Sequence, residues 1–150
     1  MSNYRYITIS NQSPVFSKIC QYCDKKIVEE NLKKNGGTLN YSDIVFNSDY
    51  LILCLEGITP IGFNSIIELE DSLYINQIAV QNNKKHQGIG TELMKIAIKN
   101  GDDKNKSISA HVRDYNIASN SMFQKLGFDI IEPGYNALYI LKVNKKIPSK

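Results

Sequence analysis

The sequence predicts a mixed α/β (α+β) fold in which helices flank a mostly antiparallel sheet with one parallel junction. Two observations carry this prediction. Short segments of alternating apolar and polar residues, typical of strands, lie between segments whose apolar residues recur at helical spacing. After residue 72 a strand, a glycine-containing turn, an amphipathic helix and another strand follow in order, and a helical crossover makes two strands parallel. The length suits one domain, residues 1–150.

The first part of the chain predicts one strand and one long helix. Arg5 to Ser10 alternates apolar and polar side chains, as a short strand does. Apolar residues recur at helical spacing from Pro14 to Lys34, and Asn35-Gly36-Gly37 should end this helix. Two alternatives stay open for residues 38–47, a short helix and an ordered loop.

A hairpin and a further strand follow. Tyr50–Leu55 and Ile61–Leu69 are apolar runs, and the turn between them is expected at Glu56 to Pro60. Leu73–Val80 is the next predicted strand. The amphipathic helix after the glycine turn should run from about residue 88 to residue 99 and end at Asn100-Gly101.

The last part of the chain predicts one helix and three strands. Ser107–Val112 should lie parallel to the strand before the glycine turn, since a helix joins them. Asn116–Leu126 has helical spacing, and Gly127 ends it. Phe128–Ile131 and Ala137–Val143 then read as two closing strands.

Composition excludes several classes of protein. Apolar residues make up 42% of the chain and charged residues 22%, which is ordinary for a globular protein. No apolar run is long enough to cross a bilayer, and the N-terminus lacks the apolar core of a signal peptide, so we expect a cytoplasmic protein without a membrane partner. A net charge of +3, spread along the chain, does not indicate nucleic-acid binding.

The three cysteines predict neither a disulfide framework nor a metal site. Cys20 and Cys23 form a lone C-x-x-C, and the histidines His86 and His111 lie far from it along the chain. We expect this pair to be small, partly buried helix residues. Cys54 lies in an apolar run and is expected in the core.

Gly88 and Gly90 lie where the amphipathic helix should begin. Glycine allows the backbone to approach a ligand closely, and a helix N-terminus offers unpaired N–H groups and a positive dipole end. This combination indicates a phosphate or pyrophosphate site, although a tight turn without a ligand explains the pattern equally well. Neither G-x-x-x-x-G-K-[ST] nor G-x-G-x-x-G occurs in the chain.

Two ordered motifs resemble one family. K-K-H-Q-G-I-G resembles the [Q/R]-x-x-G-x-[G/A] motif of the GCN5-related N-acetyltransferases (GNAT), with Lys85 where the family usually has Arg or Gln. Downstream, N-I-A-S-N-S-M-F-Q-K-L-G-F resembles the family's N-x-x-A/S…Y-x-K-x-G-F segment. The strand sequence Y-I-N-Q-I-A-V is similar to the family's fourth strand. The resemblance covers about residues 50–143.

The resemblance implies a twisted sheet that splays between its fourth and fifth strands to admit acetyl-coenzyme A (acetyl-CoA). The main chain of the fourth strand would pair with the pantetheine arm, and a bulge near Ala79 would aim an N–H at the thioester carbonyl. Asn116 would contact the cofactor near the splay, or cap the following helix, or do both. The implied cofactor-binding residues are Ile78, Ala79, Val80, Lys85, His86, Gln87, Gly88, Ile89, Gly90, Thr91, Asn116 and Phe123. No metal is implied.

The catalytic groups of the family are not all present. Phe123 stands where a tyrosine often acts as general acid, and Asn76 and Gln77 lie on the strand that often carries a glutamate base. The remaining candidates are a tyrosine elsewhere, a glutamate that relays a proton, or solvent. His86 is expected to face solvent or phosphate, and His111 to have a core or surface role. The candidate catalytic residues are Tyr135, Tyr139 and Glu68, with Tyr115 and Glu70 as further alternatives.

The implied function is direct transfer of an acetyl group from acetyl-CoA to a primary amine. Phe123 and the missing strand glutamate keep one alternative open, a non-catalytic module that binds acetyl-CoA as a sensor or partner subunit. The acceptor would be a small-molecule or peptide amine, and the protein a monomer or homodimer.

Overall fold

The structure is a computed structural model, and it describes residues 4–34 and 47–143. The described strands form one sheet in the order β1-β2-β3-β4-β5-β7-β6. The strands are β1 (Tyr4–Ser10), β2 (Tyr50–Glu56), β3 (Thr59–Glu68), β4 (Ser72–Val80), β5 (Ser107–Arg113), β6 (Asp129–Glu132) and β7 (Asn136–Leu141). The helices are α1 (Phe16–Cys23), α2 (Glu30–Lys34), α3 (Ile89–Lys104) and α4 (Ile117–Lys125). A π-helical turn joins α1 to α2, and a 3-10 turn precedes α3.

The strand pairings confirm the predicted fold class. β1 with β2, β2 with β3, β5 with β7 and β6 with β7 are antiparallel. β4 and β5 form a parallel pair from Ser72↔Ser107 to Ile75↔Ala110, as the helical crossover between them predicts. β4 continues to Val80 and β5 to Arg113 beyond this pairing.

The chain contains two compact units, Met1–Ile67 with Asn76–Ile96, and Glu68–Ile75 with Ala97–Lys150. In the first unit, one face of β2 and β3 packs against α1 and the π turn. Alternate residues of the strands reach this face, because successive side chains of a strand point to opposite sides. The buried cluster contains Phe16, Cys20, Cys23, Ile27, Val28, Leu51, Leu53, Leu55 and Phe63.

In the second unit, β5 contributes Ile108, Ala110 and Val112 to the core. α4 contributes Phe123, and β7 contributes Tyr139. Within the described residues, no helix is long and apolar enough to cross a membrane.

The prediction that α3 ends at Asn100-Gly101 is wrong, because the helix continues to Lys104. Gly101 is buried, and a Cβ on it would lie 2.7 Å from both Ile108 Cδ1 and the Lys106 carbonyl oxygen. The glycine therefore allows a close contact inside the helix. The left-handed residue just after the helix is Asn105, with φ of 57°.

Three other boundaries differ from the prediction. β2 and β3 pair up to Glu56↔Thr59, so the hairpin turn consists of two residues, Gly57 and Ile58. Gly57 adopts left-handed backbone in this turn, with φ of 61°. The long N-terminal helix begins at Phe16 and contains a π turn. β7 spans Asn136–Leu141, shorter than predicted. The predicted helix end at Asn35-Gly36-Gly37 and most of the open segment 38–47 lie outside the described residues.

Candidate functional site

Gly62 on β3 determines how closely the start of α3 approaches the sheet. A Cβ on Gly62 would lie 3.1 Å from Ile89 Cγ2 and 3.5 Å from Leu93 Cδ1. Ile89 and Leu93 are buried, and Leu93 also accepts a hydrogen bond at its carbonyl from the Asn64 side chain, 3.4 Å away. The first two turns of α3 therefore pack directly on β3.

The backbone of this turn has the geometry of an anion site. His86 and Gly88 both have left-handed backbone, with φ of 66° and 79°. Glu92 N–H donates to the Gly88 carbonyl at 3.0 Å, which makes Glu92 the first residue of α3 with a helical hydrogen bond. The amides of residues 89–91 precede it and have no helical acceptor. They are the donors that a phosphate at a helix start uses.

Some side chains of the turn are held by a hydrogen bond or an ion pair, and others are exposed. Tyr4 donates its hydroxyl proton to Gln87 Oε1 at 2.5 Å. Lys84 forms an ion pair with Glu56 at 2.9 Å, which raises the pKa of the Lys84 ammonium. Lys85 and His86 are exposed. Lys85, which stands at the Arg or Gln position of the family motif, therefore lies at the surface of the turn.

The last residues of β4 turn alternate backbone groups to its two edges. The Gln77 carbonyl accepts from Ser65 Oγ at 3.2 Å, and the Ala79 carbonyl lies 3.5 Å from a Cβ built on Gly62, so both face β3. In a strand, the N–H and C=O groups of the intervening residues face the opposite edge. Ile78 and Val80 therefore present their backbone groups at that edge, where the sequence predicts the pantetheine arm.

Two details refine the prediction for this strand. Asn31 of α2 donates from Nδ2 to the Val80 carbonyl at 2.9 Å, which occupies one of the two lone pairs of that oxygen. In a regular strand the Ala79 N–H faces β3 with its carbonyl. The predicted role of Ala79 as a donor to the thioester requires a bulge there, and stays a prediction.

Asn116 is the N-cap of α4. Its Oδ1 accepts from Ser119 N–H at 3.2 Å, so the capping alternative is confirmed. Its backbone carbonyl accepts from the Asn120 side chain at 2.8 Å. The exposed Asn116 side chain has capacity for further hydrogen bonds, and its contact with a cofactor stays a prediction.

Phe123 lies inside an aromatic cluster. Its side chain is 2% exposed, and its ring meets Phe128 edge-on at 4.8 Å and Tyr139 at 5.5 Å between centroids. Phe123 is thus a core residue of its unit. The contact of its ring with the cofactor sulfur stays a prediction.

Tyr139 is buried, and its hydroxyl is held by two side chains of α4. It donates to Asn120 Oδ1 at 2.5 Å and accepts from Gln124 Nε2 at 3.5 Å. Asn120 also donates to the Arg113 carbonyl at 2.9 Å, which fixes the orientation of its amide. Tyr139, Asn120 and Gln124 line a cavity of about 410 Å³. To act as a general acid, Tyr139 must first break the hydrogen bond that its hydroxyl donates to Asn120.

The other two candidate catalytic residues lie at the surface. Tyr135 is 60% exposed, and the Arg113 guanidinium lies 5.0 Å from the centroid of its ring. Glu68 forms ion pairs with Lys104 at 2.6 Å and Lys106 at 3.0 Å. Hydrogen bonds from these two lysines lower the pKa of the Glu68 carboxyl, which makes Glu68 a weaker base.

The three cysteines are free and buried. Burial raises the pKa of the Cys20 thiol to about 12 and raises the pKa of Cys23 and Cys54 as well. The expectation that Cys54 lies in the core is confirmed. Cys20 and Cys23 are more completely buried than expected. The described residues contain no group of three or more His, Cys, Asp or Glu side chains arranged to hold a metal ion.

The sequence profile of the acetyltransferase (GNAT) family matches residues 21–128. This range includes the helix start at Ile89 and the whole of the second motif. A comparison with curated proteins gave no match.

Solved structures of low sequence identity share the fold. A GNAT-family acetyltransferase from Staphylococcus aureus Mu50 superposes with a TM-score of 0.73 at 14% identity, covering 93% of this chain and 100% of that chain. A GNAT-family acetyltransferase from Elizabethkingia anophelis with acetyl-CoA bound gives 0.67 at 18% identity, covering 95% and 100%. The PaiA N-acetyltransferase from Thermoplasma acidophilum in complex with coenzyme A gives 0.71 at 15%, covering 95% and 99%.

Proposed function

This chain belongs to the acetyltransferase (GNAT) family, and we propose that it transfers an acetyl group from acetyl-CoA directly to the nitrogen of a primary amine. The family places it among the acetyl-CoA-dependent acyltransferases. Relatives of the same fold have been crystallised with acetyl-CoA or coenzyme A, and one of them is described as an N-acetyltransferase. The acceptor is a small-molecule or peptide amine.

The observation that carries the proposal is the backbone of the turn before α3. Left-handed backbone costs a residue other than glycine about 1–2 kcal/mol, and His86 adopts it next to a glycine that does the same. Strain of this kind is often located at ligand sites. Here it accompanies amides at residues 89–91 that precede the first helical hydrogen bond. A pyrophosphate bound there would receive these donors and the positive end of the helix dipole.

The edge of β4 supports the binding of a long, thin ligand. Backbone groups of Ile78 and Val80 face the edge away from β3, and pairing with an amide-containing arm is how a strand edge binds an extended molecule. The pantetheine arm of acetyl-CoA has two amides. Because Ile78 and Val80 lie a few residues before the turn, one cosubstrate can use both features.

The reaction needs a held thioester and an unprotonated amine. The ammonium first loses a proton to a base. The amine lone pair then forms the C–N bond at the thioester carbonyl, the C–S bond breaks, and the sulfur keeps that electron pair. The second proton leaves the nitrogen, and the thiolate gains one. Bond making and breaking therefore balance without a metal or a redox partner.

The role that we propose for each remaining predicted residue is based on the groups that surround it. Asn116 would add a hydrogen bond to the cosubstrate while it caps α4. Phe123 provides a rigid apolar wall. Tyr139 is the better placed of the two candidate tyrosines to protonate a leaving thiolate, because it lines a cavity, whereas Tyr135 lies under Arg113 at the surface.

The proposal is tested by thiol release from acetyl-CoA in the presence of a panel of primary amines. We expect release that depends on the amine, with one N-acetylated product per thiol by mass spectrometry. Calorimetry with acetyl-CoA should show binding in the absence of amine. Binding without release for every amine in the panel would support the alternative of a non-catalytic acetyl-CoA-binding module and contradict catalysis.

A further inference from the structure

One end of the β1–β2 ladder contacts the turn before α3, and strands and turn belong to the same compact unit. Tyr4, the first residue of β1, lies directly opposite Glu56, the last residue of β2. Side chains of directly opposite residues in an antiparallel pair lie on the same face of the sheet. Tyr4 and Glu56 therefore form a cross-strand pair at this end of the ladder.

Each member of this pair holds one end of a short loop. The Tyr4 hydroxyl donates to Gln87 Oε1 at 2.5 Å, and Glu56 Oε2 accepts from Lys84 Nζ at 2.9 Å. The side chains of residues 85 and 86, between these two contacts, are exposed. The loop of residues 84–87 is therefore attached to the sheet at both ends, and its middle faces outward.

The contact of Tyr4 lies at the most strained point of the turn. Gln87 is flanked by the two left-handed residues, His86 with φ of 66° and Gly88 with φ of 79°. A residue other than glycine keeps such a backbone only where the surrounding contacts hold it in place. The hydrogen bond from Tyr4 to the side chain between these two residues is a contact of this kind.

We propose that Tyr4 is a positioning residue for the cosubstrate, and that it acts through Gln87 to hold the turn in the form that receives the pyrophosphate of acetyl-CoA. This inference rests on the proposed function. Tyr4 itself needs no contact with the ligand. Without its hydrogen bond the turn would also adopt other conformations, and the apparent affinity would fall in proportion to the fraction of protein that keeps the binding-competent one.

Tyr4 is a cleaner probe of this support than Glu56. Removal of the Glu56 carboxylate would release its end of the loop, but it would also free the positive charge of Lys84. The first effect weakens the binding of an anion and the second strengthens it. Removal of the Tyr4 hydroxyl changes no charge, so its effect on affinity has one expected sign.

The test compares Tyr4→Phe with the wild type on two acetyl donors. Acetyl-CoA contains the pyrophosphate, whereas S-acetylpantetheine has the same thioester and the same arm without any phosphate. The control is Tyr6→Phe, which removes the same hydroxyl from the next position on the same face of β1, where it is hydrogen-bonded to Cys54. Circular dichroism and thermal unfolding show that the variants are folded.

We expect Tyr4→Phe to raise the Kd of acetyl-CoA, measured by calorimetry, by about fivefold to tenfold, which is what one hydrogen bond of ordinary strength contributes. The kcat at saturating acetyl-CoA and the kcat/KM for S-acetylpantetheine should stay at the wild-type values, with an amine that the wild type acetylates. Tyr6→Phe should change none of these quantities.

A double-mutant cycle tests whether Tyr4 acts through Gln87. Gln87→Ala removes the acceptor of the Tyr4 hydrogen bond. If Tyr4 acts through this side chain, the protein with both substitutions should bind acetyl-CoA no more weakly than Gln87→Ala alone, because the second change removes a contact that is already lost. Additive losses would show that Tyr4 acts by another route and would overturn the inference.

The other outcomes also decide. Wild-type affinity of a folded Tyr4→Phe protein for acetyl-CoA would overturn the inference and leave the proposed function standing, since turnover of the wild type tests that function by itself. Equal losses with acetyl-CoA and S-acetylpantetheine would indicate a general structural effect and would also overturn it. Absence of acetyl-CoA binding by the wild type would remove the proposed function, and this inference with it.

Discussion

The side-chain amide of Asn31 donates a hydrogen bond to the carbonyl oxygen of Val80, 2.9 Å away, and ties α2 to the last residue of β4. The two residues are separated by 49 positions in the sequence. The bond holds the end of β4 just before the chain enters the turn that leads to α3. The helical layer of the first unit therefore supports the strand end on which the cosubstrate is proposed to lie.

Asn31→Ala should lower the free energy of unfolding by about 1–2 kcal/mol, because it removes a partly buried hydrogen bond and leaves the Val80 carbonyl without this donor. Urea unfolding followed by circular dichroism measures the change. Gln21→Ala, at an exposed position of α1, is the matched control and should change stability little. Equal stability of the two variants would show that the bond contributes nothing.

Gly88→Val should weaken acetyl-CoA binding by about tenfold or more, because a β-branched residue at φ of 79° is strained by about 1–3 kcal/mol or moves the turn. Gly88→Asn is the control, since asparagine accepts left-handed backbone more readily. Calorimetry gives both affinities. Unchanged binding by a folded Gly88→Val protein would place the pyrophosphate elsewhere.

The turn shows what sequence analysis can predict. Gly88 and Gly90 predicted the start of a helix after a strand, and the structure has left-handed backbone at Gly88 and a helix that begins at Ile89, whereas the anion site stays a prediction. The reason is that the signal is local, since glycine, the helix start and the apolar face lie within a few residues.

Features that depend on contacts between residues far apart in the chain were not predicted from the sequence. Gly101 was predicted to end the helix. Its close contact with Ile108 explains why a glycine lies inside α3. The contact of the exposed His111 with Tyr74, 37 positions away, was not predicted. Their contact depends on the register that sets Tyr74 opposite Ser109, which local periodicity does not encode.

Phe123→Tyr should preserve the fold and lower the free energy of unfolding by about 1–3 kcal/mol, because a hydroxyl would enter a side-chain site that is 2% exposed. If protonation of the leaving thiolate limits turnover, kcat should rise by up to about 10²-fold. Thermal unfolding and single-turnover kinetics measure the two effects. A folded variant that no longer binds acetyl-CoA would show that the second motif is misaligned.

Glu68 should make stability depend on pH in the acidic range. Lys104 and Lys106 lower the pKa of its carboxyl below the ordinary value of 4.5, so the carboxylate stabilises the fold above that value and this contribution is lost as pH falls through the lowered pKa. Glu68→Gln should therefore be less stable than the wild type at pH 7, and the gap should close as pH falls below the lowered pKa of Glu68. Glu70→Gln is the control. A gap that stays constant with pH would exclude these ion pairs as the cause.

The three thiols should be unreactive in the folded protein, because all three are buried and burial raises the pKa of each. Titration with a chromogenic disulfide should detect no rapid thiol in native buffer and three thiols in denaturant. A rapid thiol in the native protein would contradict the burial. The same result decides whether thiol release from acetyl-CoA can be followed with this reagent without a protein background.

Gly62 carries no functional group, yet the start of α3 rests on it. A methyl group there would lie 3.1 Å from Ile89 Cγ2, so the Ile89 side chain or the start of α3 would have to shift by a few tenths of an ångström. Because glycine has only a hydrogen atom as its side chain, α3 can approach β3 closely at this position. The residues tolerated at position 62 are therefore limited by the packing of α3 as much as by the strand itself, and a methyl group introduced in the interior of the sheet would change the position at which the helix begins to contact it.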